Sequence, residues 1–131
     1  MISVSSVLDV IDNSGARKVR VIKLLQKKAF ATPGSFVVAS VLSIKKKKLS
    51  GKNLSKEKVS VKKGDVVQGV ICTTRKNLTR HDGSSMKWEQ NGIVLLSTQQ
   101  KLFGNRVLSG VPYELRKTQH TKILSLAPSS L

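Results

Sequence analysis

The chain has 131 residues, is 39% hydrophobic and only 4% aromatic, and sets 24 Lys and Arg against 7 Asp and Glu for a formal charge of +17. That length suits one domain able to bury a core without disulfides or a structural metal, and the lone Cys72 excludes an internal disulfide. So large a charge calls for a polyanionic partner, and no apolar run approaches the roughly 20 residues that cross a bilayer, so nucleic acid ranks ahead of a membrane.

Residues 4–11 and 16–25 are rich in Val, Ile and Leu and are separated by Asp12, Asn13, Ser14 and Gly15, all turn formers. They are expected to pair like a hairpin. In the second stretch Val19 and Val21 alternate with Lys18 and Arg20, so one face can enter a core while the other presents cations. Residues 36–44 form the third apolar run. Nine lysines between Ser43 and Asp65 then face only Glu57 and Asp65, a stretch that suits either plain solvation or phosphate contact. Residues 59–61 read as a short strand leading into a turn at Lys62, Lys63, Gly64 and Asp65. Residues 66–74 are nearly all apolar and β-branched, as in a strand covered on both faces.

Asp82-Gly83, inside residues 80–88, is a hairpin signal, and residues 92–97 supply another strand. Pro112 can open a short helix through Glu114, Leu115 and Arg116, and residues 122–127 close the chain on an apolar segment. Five or six short strands with almost no helical period before residue 110 predict an all-β domain, a small barrel or sandwich.

No catalytic constellation can be assembled. His81 and His120 lie in polar surroundings without a matched base and nucleophile, and two histidines with one cysteine make a poor metal site. No cofactor is expected. Cys72 reads as a small buried hydrophobe, and Trp88 as packing against the hairpin in preference to stacking on a base. What remains is a cationic coat on a β core. Arg17, Lys18, Arg20, Lys23, Arg75, Lys76, Arg80, Arg106, Arg116 and Lys117 recur along the chain, beside turns and on strand faces, and Lys45, Lys46, Lys47 and Lys48 open the lysine tract. That distribution suits a protein embedded in RNA.

Five segments in order, "VIDNSGARKVRVIKLL" (10–25), "VKKGDVVQGVI" (61–71), "RHDGSSMKW" (80–88), "GNRVLSGVPYELR" (104–116) and "KILSLAP" (122–128), closely resemble the large-subunit ribosomal protein fourteen family nearly end to end. The resemblance implies a closed five-stranded β-barrel with a projecting β-ribbon and short C-terminal helices. It also implies binding to large-subunit rRNA, proximity to ribosomal proteins three and nineteen, contact with small-subunit rRNA at the subunit interface, and an exposed face where a silencing or anti-association factor docks. Carried over by motif, Arg17, Lys18, Lys62, Lys63, Arg80, Arg106 and Arg116 look like RNA-facing positions. Residues 97–108 resemble the bridge-forming edge, with Lys101, Asn105 and Arg106 offered to a second RNA.

The chain departs from the family pattern in its longer stretch at 45–60, in Trp88 where a smaller aromatic is usual, and in Asn105, Leu108, Ser109 and Gly110. The first sixteen residues carry Asp9 and Asp12 and no Lys or Arg, unlike a secretory or transit peptide. These features favour a mitochondrial ribosome in the matrix over a bacterial cytoplasmic one. The alternative function is a basic β-barrel enzyme or regulator acting on RNA outside the ribosome.

Overall fold

The β-branched runs fold as strands. In the computed structural model, which describes residues 1–27, 29–45 and 61–131, the strands are β1 (Val7–Val10), β2 (Ala16–Leu24), β3 (Phe36–Ile44), β4 (Val66–Thr73), β5 (Leu78–Thr79), β6 (Ser85–Met86) and β7 (Gly92–Leu96). β1 pairs antiparallel with β2 and parallel with β7, and the latter pairing closes a five-stranded barrel in the order β1-β2-β3-β4-β7. β5 and β6 form a separate two-stranded ribbon. A 3-10 helix (Tyr113–Arg116) and one short α-helix, α1 (Thr121–Leu126), follow. The all-β barrel, ribbon and short C-terminal helices of the expected fold are all present.

The apolar patterns of β4 and β7 explain how so short a chain with few aromatics builds its core. Successive side chains point to opposite faces of a strand. Val67, Ile71, Ile93 and Leu95 fill the barrel together with Leu8, Val19, Val21, Val37 and Val41. Val70, Cys72, Val94 and Leu96 face outward instead, where they are covered by Val107, Val111, Leu115 and Ile123 of the C-terminal segment. β4 and β7 are therefore buried on both sides. Gly69 allows the close approach: a Cβ there would stand 2.7 Å from Ile93 Cδ1.

Asp12 holds these parts together. Although it stands in the turn between β1 and β2, it is only 1% exposed. Its Oδ1 accepts from the backbone N–H of Ser14 at 2.9 Å and from the Ser14 hydroxyl, and its Oδ2 accepts from Leu95 N–H of β7 at 2.8 Å. The neighbouring Asn13 N–H donates to the Arg106 carbonyl at 3.2 Å. Gly104 lies so close that a Cβ would come within 2.9 Å of Asn13 N. One carboxylate thus ties the β1–β2 turn to β7, beside the strap at residues 104–107.

The ribbon is fastened to the C-terminal segment through Arg80. Its Nε donates to Glu114 Oε1 at 2.6 Å and one terminal nitrogen donates to Glu114 Oε2 at 3.2 Å and to the Leu131 carbonyl at 2.7 Å. The guanidinium also lies 4.4 Å from the centroid of the Tyr113 ring. Burial alone would raise the Glu114 pKa, but the Arg80 hydrogen bonds and charge overcome it and hold the carboxyl below its ordinary value. The turn joining β5 to β6 is closed by Gly83 at φ +81° and by Asp82, whose Oδ1 accepts from Ser84 N–H and hydroxyl.

Two expectations change in extent. The first strand spans Val7–Val10 and does not begin at residue 4, because Ser5 takes φ +69° and donates its N–H to Val21. Val61 is buried but lies outside any strand, while residues 59 and 60 fall outside the described residues. Asp12→Asn should destabilise the protein, since an amide can accept from Ser14 or from Leu95 but not from both, and one buried N–H left without an acceptor costs about 1–3 kcal/mol. Denaturation midpoints measure this, with faster amide exchange at Leu95 as the local sign. An unchanged midpoint contradicts it. Glu114→Gln should also lower stability above pH ~4.5. A carboxylate whose folded pKa is depressed stabilises above its unfolded pKa and loses that contribution as pH falls through the folded pKa. Wild type and variant should therefore converge in acid melts, and a constant gap down to low pH would refute the clamp.

Candidate nucleic-acid interface

Strict alternation would send Arg17 and Lys18 to opposite faces of β2. Register shifts between Ala16 and Lys18, between Lys18 and Val19, and between Val21 and Lys23 break the alternation. As a result Arg17, Lys18, Arg20 and Lys23 are all exposed, while Ala16, Val19 and Val21 stay buried. The bulges convert an amphipathic strand into a dense row of outward cations.

Two further cationic stretches reach the same end of the barrel. β3 runs alongside β2 until Ile44 pairs with Ala16, and Lys45 N–H donates to the Gly15 carbonyl at 2.8 Å, so Lys45 leaves the sheet beside Arg17. The turn after residue 61 docks on β3 one step away. Gly64 N–H donates to Val41 at 2.9 Å, Val41 N–H donates to Asp65 at 3.0 Å, and Val41 itself pairs with Val19 of β2. Gly64 at φ +91° and the bond from Lys62 N–H to Asp65 Oδ2 at 2.8 Å shape this turn and leave Lys62 and Lys63 exposed. Arg17, Lys18, Lys45, Lys62 and Lys63 are thus brought together, although they come from three separate parts of the sequence. Lys46, Lys47 and Lys48 lie outside the described residues.

Among the described residues the ion pairs are Lys18 with Asp9, at 4.0 Å across the β1–β2 ladder, and Arg80 with Glu114. An exposed pair at that distance contributes little. Among the described residues the side chains of the cluster therefore have almost no internal ion-pair partner.

The remaining candidates are placed differently. Arg75 is exposed just after β4, its backbone N–H donating to Asn91 Oδ1 at 2.9 Å. Arg116 and Lys117 are exposed at the end of the 3-10 helix. Arg80, expected to face RNA, is turned into the protein by Glu114 and Leu131, so its first task is to hold the ribbon. Lys87, which sequence reasoning did not single out, shares a hollow with Arg75 and Trp88; its only signal was its place beside the single tryptophan.

The bridge-like segment is a short hairpin folded onto β7. Leu96 bridges Leu102, Ser97 N–H donates to Lys101 at 2.8 Å, and Gln100 turns at φ +57°. Phe103 packs against the barrel core, so Lys101 and the Asn105–Arg106 pair are exposed on either side of a partly buried anchor.

The other reactive residue types serve packing. Cys72 is fully buried, and burial together with the nearby Asp12 charge pushes its thiol pKa up, which disfavours a nucleophilic thiolate. His120, expected in polar surroundings, instead packs edge-on to Phe36 with centroids 4.7 Å apart and lies 3.3 Å from the Gly34 carbonyl. Burial lowers its pKa. Among the described residues no group of three His, Cys, Asp or Glu could hold a metal, and no helix is long and apolar enough to cross a membrane.

A closed barrel carrying bulge-spaced cations, a clamped ribbon and a C-terminal cover accounts for the described residues, and the family model described as ribosomal protein L14p/L23e matches residues 1–131. The chain belongs to the ribosomal protein L14p/L23e family, whose members are structural, non-enzymatic components of the large ribosomal subunit associated with rRNA and other ribosomal proteins.

Proposed function

We propose that this ribosomal protein grips large-subunit rRNA through the cluster of Arg17, Lys18, Lys45, Lys62 and Lys63, and meets small-subunit rRNA through Lys101, Asn105 and Arg106. The observation that carries the first part is the convergence of those five cations at one end of the barrel, where Lys18 with Asp9 is the one side-chain ion pair of the cluster among the described residues. Arg20, Lys23, Arg75, Arg116 and Lys117 extend the contact, and Lys46, Lys47 and Lys48 continue it from Lys45. Phosphate contacts dominate such an interface and fix orientation more than sequence.

The second part is supported by the hairpin at residues 97–102, which presents Lys101 beside β7, and by the exposed Asn105 and Arg106 just beyond it. Ribosomal proteins three and nineteen as neighbours, and a silencing or anti-association factor on the exposed face, follow from the family resemblance. The lengthened lysine stretch and the substitutions at Trp88, Asn105, Leu108, Ser109 and Gly110 favour a mitochondrial ribosome.

If about eight phosphates are engaged, log K for RNA against log salt should slope by roughly −6 to −7, with little preference among short sequences. Lys62→Glu with Lys63→Glu should flatten that slope measurably, and a salt-independent affinity would refute phosphate gripping. Arg106→Glu should leave incorporation into large subunits purified from mitochondria nearly intact while weakening joining to small subunits. Arg106 is favoured over Lys101 because a guanidinium can hold a phosphate through two parallel bonds. Reversal of that contact costs about 2–4 kcal/mol locally. Gradients at low magnesium read the outcome, and normal joining by Arg106→Glu would contradict the placement of the bridge.

A further inference from the structure

Trp88 is the only tryptophan of the chain, and its surroundings go beyond hairpin packing. The indole is half-buried on the wall of a hollow of about 550 Å³ that it shares with Arg75, Lys87, Glu89 and Gln90. That volume lies within the roughly 300–1,000 Å³ of small-ligand sites. The frame of the hollow is fixed. The backbone N–H of Trp88 donates to the Thr74 carbonyl at 3.1 Å, the backbone N–H of Arg75 to Asn91 Oδ1 at 2.9 Å, and the Thr73 hydroxyl to the Gln90 carbonyl at 3.2 Å. The site thus hangs on the end of β4 and does not depend on a free loop.

Its chemistry is that of a nucleotide. An aromatic face stacks on any base, two cations outnumber the Glu89 carboxylate and can meet the flanking phosphate, and the Gln90 amide can bond to a base edge. Another hollow, about 410 Å³ between Val38, Val66, Gln68, Leu96 and Phe103, offers no cation and has Asp65 as its only charged lining residue. It has the wrong charge for a phosphate. The contrast singles out the Trp88 hollow.

We propose that the Trp88 hollow binds one unpaired base of single-stranded RNA, stacked on the indole, with its phosphate held by Arg75 and Lys87. The site rests on the RNA-binding function above and adds a position where a base, and not only a phosphate, is recognised.

The test uses the full chain, hexa-adenylate RNA and an abasic ribose-phosphate hexamer, each carrying a terminal dye for anisotropy. Indole emission, which reports Trp88 alone, is followed in parallel. Both oligomers should bind with salt-dependent affinity, but only hexa-adenylate should quench Trp88. Trp88→Leu should weaken hexa-adenylate roughly 10-fold and leave the abasic hexamer unchanged, whereas Trp88→Phe should keep most of the affinity. Because quenching is read on the wild-type protein, a variant that fails to fold does not remove the test. Equal binding of both oligomers without differential quenching would overturn the stacking site while leaving phosphate gripping intact. Failure of both oligomers to bind would overturn the RNA-binding function and the site together.

Discussion

A buried carboxylate at residue 12 sets the frame on which the rest of the molecule depends. Charge is costly to bury unless hydrogen bonds replace the lost water, and here three donors from Ser14 and Leu95 do so. The arrangement fixes the turn that feeds β2, and so the phase at which Arg17 and Lys18 leave the barrel. It also seats Gly104 and Asn13 against each other, and so positions the strap that carries Asn105 and Arg106. The two surfaces that face RNA in this account share one buried anchor.

Burial on both sides of β4 and β7 is the complementary constraint. A small domain buries a limited fraction of its surface, and this one buries both faces of two strands while β2 presents Arg17, Lys18, Arg20 and Lys23, with Ile22 among them, on its outer side. The C-terminal segment is the price of that choice, since Leu115 and Ile123 must cover the outward side of Val70, Val94 and Leu96. Arg80 then locks the cover to the ribbon, which explains why a cation in a strongly basic protein is spent on an internal Glu114.

The strands of the barrel were legible because β-branched runs and Gly-Asp or Asp-Gly turns are local signals. The register was not. Nothing in the alternation of Val19 and Val21 with Lys18 and Arg20 reveals the bulges that bring Arg17 and Lys18 to one side, because a bulge is a property of a strand pair. Asp12 looked like one more turn residue, since its partner Leu95 is 83 positions away. Arg80 looked free for the same reason, with Glu114 34 positions distant, and His120 looked polar because Phe36 and Gly34 lie far off in sequence. The cationic character of the site could be counted from composition, but its location required the pairing of β2 with β3.

Lysine acetylation of intact large subunits, compared with the free protein, tests the central claim most directly. The account predicts that Lys18, Lys45, Lys62 and Lys63 are protected together in the subunit, and that Lys101 stays reactive there until the small subunit joins. Free-protein reactivity at Lys18, Lys62 and Lys63 within assembled subunits would contradict it.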